Sequence, residues 1–590
     1  MEKSDGAKEY KAYVSEGLGN LVDWSEVMKF QRKNGSLFNS PSATAALLVH
    51  KYDDKALQFL SSVVSQFGSA VPTVHPLDIH CQLSLVDSLE KIGISQHFSS
   101  EIKSILDMTY SLWLQRDEEI MLDFRTCSIA FRLLRMNGYG VSADELSHVV
   151  EVSSFHNSLL GYLNDAKSLL EIYKASQVSI DENELFFDNM GHWSRSLLME
   201  VHFDGVQRLP FSREIDYALK FPFYTTLERL DHMRNIENFD ARDSPMLKGE
   251  YLPCGVNEDL LSLAVEDFTL SQSIYQDELL HLDRWVKENR LDQLQFARQR
   301  VTNCYLCAAG SITPHQQCDA RISFAKNIVL VTVVDDFFDG EGSKEELNDL
   351  IELVQKWSEH YNGKLYSEEV KIMFSALYTT VKEFGSIVSA VQNCDVTEHL
   401  IESWQHVLRS MMIEAEWRMN QYVPTMEEYM KNAVVSISSG LVLLPTLYLV
   451  GQKLSKWIAK DQEYNELLRL MCTCTRLMND IQGLEREGSE GKLNSVSLLV
   501  HHSGGSMSIE MAKLEIRKSI ITITRDLLRL VLREETVIPR PCKEVFWKIC
   551  KMAHFLYFET DGYSSPKKMV GAVNALIYVP LKVPRYQSTA

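Results

Sequence analysis

The chain has 590 residues, a formal net charge of -20 and 45% hydrophobic residues. That length exceeds the size at which a single core keeps growing, so two domains are expected, and the acidic balance argues against a nucleic-acid partner. No apolar run reaches the ~18 residues of a transmembrane helix, so no transmembrane segment is expected.

In chain order, the opening Met1-Glu2-Lys3-Ser4-Asp5-Gly6 is acidic and short of arginine, unlike a transit peptide. The first 240 or so residues carry no metal motif, and their expected role is structural. Asp240, Asp243, Pro245, Gly249, Pro253 and Gly255 then interrupt the helical periodicity. That break divides the chain into a helical domain over 1–245 and a second over 246–590. Beyond it, Leu261, Leu263, Val265 and Phe268, and later Leu467, Leu468, Leu470 and Met471, have helical apolar spacing with few Gly or Pro. The eleven cysteines are scattered, and Cys304-x-x-Cys307 and Cys472-x-Cys474 are the only close pairs. Neither has a matching second pair at zinc spacing, so buried free thiols are the expected account.

Two acidic motifs carry the chemistry. The first is Asp335-Asp336-Phe337-Phe338-Asp339, directly after the apolar run Val329–Val334. The run reads as either a strand or a helix by periodicity alone. If it is helical, the i, i+4 spacing sets Asp335 beside Asp339, with Asp336 offset toward the next face. Charges at the end of a buried element are costly unless they are paired or coordinate a metal. The second motif runs from Asn479-Asp480 to Glu487, with Asn479, Gly483 and Glu487 on one stripe. Gly483 offers no side-chain ligand, so a water is expected in its place. Two sparse oxygen faces suit Mg²⁺ ions that arrive with a phosphate, because Mg²⁺ is usually held by one or two carboxylates plus substrate oxygens.

Cations flank both motifs: Arg298 and Arg300 in Phe296-Ala297-Arg298-Gln299-Arg300, Arg476 one turn before Asn479, and Lys492 after Glu487. Guanidinium forks match phosphate oxygens. The site therefore reads as one that holds a diphosphate and removes it from a carbon skeleton. Between the motifs, Ser436-Ile437-Ser438-Ser439-Gly440 either breaks a helix and aims oxygens at a cation or is small-residue helix packing. Phe337 and Phe338 are candidates for one cavity wall, and Gly488-Ser489-Glu490-Gly491 for a mobile loop that closes over the diphosphate.

These residues resemble the class I terpene synthases of plants, through DDxxD at Asp335–Asp339, the (N/D)DxxSxxxE-type motif at Asn479–Glu487, the Phe296–Arg300 stretch, Glu416-Trp417 and Tyr422–Tyr429. Gly483, Asn34–Ser42 and Asp561-Gly562-Tyr563-Ser564-Ser565 are similar to the kaurene synthase-like branch of diterpene synthases. The resemblance implies an all-α fold of two helical domains, β and α, without a γ domain. It implies three Mg²⁺ ions, with Mn²⁺ as substitute, on Asp335, Asp339, Asn479, Glu487 and (through water) Gly483, with Asp336 also in the catalytic set. It implies substrate contacts from Arg298, Arg300, Arg476, Lys492, Phe337, Ser439, Leu441 and Val442. The chain has no Asp-x-Asp-Asp, the acid of class II cyclases, so it is expected to begin by ionisation.

Kaurene synthases carry a Pro-Ile pair where this chain has Leu441-Val442. That departure favours a shortened form resembling miltiradiene synthases, making an abietane-type diene from normal copalyl diphosphate. A separate class II diterpene cyclase would supply that substrate, and the resemblance implies a plastid. Two alternatives stay open: a labdane-related product from ent-copalyl, hydroxylated labdane or geranylgeranyl diphosphate, and an inactive scaffold with this fold.

Overall fold

The computed structural model describes residues 12, 15–71, 79–121, 124–146, 166–181, 184–203, 212–239, 254–298, 300–358, 366–450, 453–455, 457–534 and 536–583. Among them the chain is helical and forms no strand. Most of the expected domain break near residues 240–256 lies outside the described residues, but Gly255, read as part of that break, is in the helix Cys254–Glu288.

Two large cores stand apart. One gathers Leu83, Val86, Phe131, Leu134, Ile172 and Phe187 from the first half of the chain. The other gathers residues from Leu227 to Ile577. The long helix Cys254–Glu288 serves both: Leu261, Ala264 and Phe268 enter the first core, while Tyr275, Leu279, Leu282 and Trp285 enter the second. Its apolar stripe at helical spacing is what buries one helix in two cores. The N-terminal half is held by packing and by a buried charge network in which Arg132 bridges Asp87 at 2.8 Å and Glu171 at 3.0 Å. The Asn34–Ser42 segment is a tight turn: Asn34 Oδ1 accepts from the Ser36 amide at 3.0 Å, and Ser40 caps the helix Pro41–His50. Gly35 is required there, since it has φ +86° and a Cβ would meet the Lys55 carbonyl at 2.3 Å.

In the C-terminal half, helices Cys318–Asp336, Thr397–Met419, Met426–Ser436, Ser439–Leu449, Gln462–Ser489 and Arg540–Tyr557 surround a central cavity. Sharp starts fix several of them. Thr425 and Glu428 form a reciprocal cap on Met426–Ser436, and Asp461 accepts from the Glu463 and Tyr464 amides. A fully buried ion pair ties the bundle to the long helix: Arg321 donates to Glu278 at 2.9 and 2.6 Å and to the Pro314 carbonyl at 2.9 Å. Removing one partner of such a pair leaves an uncompensated buried charge. Glu278→Ala is therefore expected to lower stability by about 3–5 kcal/mol, read as a fall in the urea midpoint.

Among the described residues no single helix is long and apolar enough to cross a membrane. The bent pair Met426–Ser436 and Ser439–Leu449 passes on composition, but Leu441–Leu449 are buried in the core.

Candidate active site

The run Val329–Val334 is helical. It continues the helix Cys318–Asp336, which is buried on nearly every face, so neither a two-residue nor a 3.6-residue period shows in its sequence. A wide turn over Phe337–Glu341 ends the helix and carries Asp339. Asp335 and Asp339 line a cavity of about 430 Å³. Asp336 does not line it; its carboxylate accepts the Arg298 amide and Arg298 Nε, both at 2.6 Å. Arg298 reaches on to Asp335 at 3.0 Å. The first motif thus divides into two cavity carboxylates and a third that fixes an arginine beside them.

The helix Gln462–Ser489 presents Asn479 and Glu487 to the same cavity. Asn479 donates to the Tyr557 hydroxyl at 3.1 Å. Asp480 is fully buried on the other side, where it accepts from Tyr429 at 2.9 and 3.0 Å and from the Ser495 amide at 3.0 Å. Asn494 caps the next helix and holds the stripe in place, donating to Glu487 at 2.8 Å and to the Asp480 carbonyl at 3.1 Å. The place expected for a water at Gly483 is taken by the Glu487 carboxylate: a Cβ at Gly483 would lie 2.8 Å from Glu487 Oε1. Gly483 is buried and lies off the lining.

Lys492 joins the two motifs, pairing with Asp339 and, at 3.1 Å, with Glu490. Burial and the charge of Asp339 push the Asp335 carboxyl up to about 7, against the pull of Arg298 and Lys492. Burial and Asp480 push Glu487 up to about 7. The donors are all oxygens, on two faces of one cavity, with a carboxamide and three carboxylates among them. That set fits hard divalent cations.

Other expected residues fall differently. Phe338 lines the cavity, while Phe337 packs against Phe296 with ring centroids 5.6 Å apart. Ser439 and Val442 are on the lining, whereas Leu441 is buried in the core off it. Arg300 is off the lining and donates to the Tyr563 carbonyl. Arg476 lines the cavity but is already engaged, donating to Ser436 Oγ at 2.7 Å and the Ala433 carbonyl at 3.3 Å. The anticipated loop is shorter than expected, because helix continues through Ser489 and the turn comes at Gly491, φ +73°. The small-residue segment does break the helix: Ser438 sits at φ +61° between Met426–Ser436 and Ser439–Leu449, and Ser436, Ile437, Ser438 and Ser439 all face the cavity.

Several wall residues had no role assigned from the sequence, although Trp417, Tyr422, Tyr429, Arg486 and Tyr563 lie within the motifs quoted above. Arg418 donates to the Phe338 carbonyl at 3.0 Å and to the Asp339 carbonyl, bracing the end of the first motif. Arg486 lies 3.6 Å from Glu487, 3.5 Å from Glu490 and 3.8 Å from Asp561. Phe324, Trp417, Tyr422, Tyr429, Tyr557 and Tyr563 supply aromatic surface. Arg418 was one residue from the Glu416-Trp417 motif, and Tyr563 lay within Asp561–Ser565. The family motifs pointed to their neighbourhood rather than to their roles.

The sequence matches two family models, the terpene synthase N-terminal domain over residues 23–219 and the terpene synthase family metal binding domain over residues 287–526. It is 64% identical over 583 residues to an ent-kaur-16-ene synthase, chloroplastic, of Oryza sativa subsp. japonica, covering 99% of this chain and 77% of that protein. It is 59% identical to a 9-beta-pimara-7,15-diene synthase, chloroplastic, of the same subspecies, covering 98% of this chain and 69% of that one. Its structure is similar to abietadiene synthase from Abies grandis, with a TM-score of 0.82 and 28% identity over 97% of this chain and 77% of that one. With an oxygen-lined cavity of this kind and matches over nearly its whole length, the chain belongs to the terpene synthase family, as a metal-dependent class I labdane-related diterpene synthase that acts as a lyase on a diphosphate.

Proposed function

We propose that the substrate is a copalyl diphosphate, a bicyclic C20 allylic diphosphate, and that the product is a tricyclic diene of abietane type such as miltiradiene. Asp335, Asp339, Asn479 and Glu487 would hold Mg²⁺, three ions by family resemblance. When bound, the metal neutralises the charge that grows on the departing diphosphate. Lys492, Arg298, Arg476 and Arg486 orient the diphosphate and take its remaining charge. Breaking the carbon–oxygen bond sends its electron pair to the diphosphate and leaves an allylic cation against the aromatic wall. Phe338 and the tyrosine faces attract that cation without capturing it, by about 0.5–2 kcal/mol each. Ring closure to a pimarenyl cation, methyl migration and proton loss complete the reaction, with the released diphosphate as base. A separate class II cyclase would supply the substrate, and a plastid is the proposed site of action because the relatives described above are chloroplastic. The N-terminal half, which supplies none of these groups, serves as a support.

The observation that carries the product reading is Val442 on the cavity wall beside the helix break at Ser438. A second reading, a pimaradiene or a kaurane from ent-copalyl diphosphate, draws support from the 64% identity to the rice ent-kaurene synthase. Assays with normal copalyl, ent-copalyl and geranylgeranyl diphosphates, read by gas chromatography–mass spectrometry, separate the two. An abietane diene from the normal isomer alone is the expected result. A kaurane from the ent isomer establishes the second reading and overturns the first.

Arg418 offers a test of site geometry away from the proposed ligands. Losing its grip on the Asp339 and Phe338 carbonyls is expected to raise the Mg²⁺ concentration for half-maximal turnover by about 10–100-fold in Arg418→Ala, the usual cost of a lost supporting contact at a metal site. An unchanged Mg²⁺ dependence would remove Arg418 from that role.

A further inference from the structure

On the far side of the helix Gln462–Ser489, away from the catalytic cavity, Cys474 meets Cys550 and His554 of the helix Arg540–Tyr557. All three side chains are buried, and their ligand atoms lie within 4.8 Å of one another. Cys474 Sγ is 3.7 Å from Cys550 Sγ and 3.9 Å from His554 Nε2. Two sulfurs bonded at about 2.3 Å to one tetrahedral ion stand roughly 3.8 Å apart, and a sulfur and an imidazole nitrogen roughly 3.5 Å apart. The trio is therefore close to the spacing of a bound ion before any ion is present. The Thr524 hydroxyl lies 3.2 Å from His554 Nε2 and 3.5 Å from Cys474 Sγ, in reach of a fourth position. His554 and Thr524 also line a second cavity of about 450 Å³ between the two halves of the chain, which gives an ion a way in.

We propose that Cys474, Cys550 and His554 form a binding site for a thiophilic divalent cation of the Zn²⁺ class, distinct from the oxygen-lined Mg²⁺ site. Soft sulfur ligands with one imidazole select this class over Mg²⁺, which takes oxygen ligands. Binding releases the protons of the two thiols. The ion would clamp the helix bearing Asn479 to the helix bearing Tyr557, whose hydroxyl already accepts from Asn479. It would thereby stiffen the proposed metal face from behind without touching substrate.

Co²⁺ is the probe. The purified 590-residue chain, saturated with Mg²⁺ and kept reduced, is titrated with Co²⁺ and followed by visible absorption. The expected result is the intense d–d absorption of a tetrahedral thiolate-ligated ion, complete at one Co²⁺ per chain, bleached by Zn²⁺, and accompanied by a rise in the thermal midpoint. Cys550→Ser and, separately, His554→Gln are expected to lose the one-equivalent absorption, while Cys304→Ser keeps it. Two independent variants guard against one that fails to fold, and far-ultraviolet circular dichroism verifies each. Absorption absent from the wild type, or undiminished in both variants, overturns the proposal. So does a Cys474–Cys550 disulfide in the protein as isolated without reductant.

Discussion

Replacing Asp335 and Asp339 together with alanine is expected to abolish turnover while the protein still unfolds cooperatively near the wild-type midpoint. The two carboxylates share one end of the cavity, 39% and 36% exposed to it, so losing them opens no void in the core. Their loss removes the negative face that would hold the cations. A unit-charge interaction at about 4 Å is worth roughly 4 kcal/mol at an effective dielectric of 20. A loss of that size in transition-state stabilisation is about three orders of magnitude in rate. Steady-state assays with copalyl diphosphate and Mg²⁺, alongside thermal unfolding, read both parts. Full activity in the double variant would sink the ionisation mechanism. Inactivity with loss of cooperative unfolding would show that the pair instead holds the fold. Arg298 and Lys492 make the experiment sharper, because their charges stay in the cavity and leave it strongly positive.

Val442 carries the second large effect. It faces the cavity, and Leu441 next to it does not. Val442→Ala or Val442→Ile is expected to change the product ratio by about tenfold, since a shift of about 1.4 kcal/mol between competing cation routes is enough for that. Total turnover should stay within about threefold, because the ionising groups are untouched. Leu441→Val, acting through packing alone, is expected to move the ratio less. Chromatographic product profiles decide: an unchanged profile with only a slower rate would remove Val442 from product control. A larger effect at Leu441 than at Val442 would mean that the wall responds to the core behind it.

The residues and the structure agree best where the signal was local. Asn479 and Glu487 at i, i+8 sit on the cavity because helical spacing puts both on one face, and Asp335 and Asp339 at i, i+4 sit there too, although Asp339 is carried by the wide turn that ends the helix. The same rule turns Asp336 toward the next face, and Asp336 is off the lining, but the rule does not supply its partner: Arg298, from a separate segment, claims its carboxylate. Phe337 and Phe338 were equivalent in sequence and were separated by the wide turn after Asp336. Gly483 looked like a vacancy for water, yet the side chain one turn on, Glu487, leans into it.

The Cys474, Cys550 and His554 cluster shows the same limit from the other direction. Cys550 and His554 are an i, i+4 pair that the sequence displays openly, but their third partner lies on another helix. A search confined to neighbouring cysteines finds Cys472-x-Cys474 instead, whose members point to different faces of one helix.

By itself, then, the sequence determined the two acidic faces and the family, and through the family the use of a divalent metal and the helical fold seen among the described residues, since each rests on spacing within a helix or on contiguous motifs. The tertiary structure alone decided which cations serve which carboxylates, that one helix is shared by two cores, that Val442 rather than Leu441 meets the cavity, and that two thiols and an imidazole converge. Those outcomes depend on how separate helices are turned about their axes when they pack, and that rotation is set by the whole core rather than by any one segment.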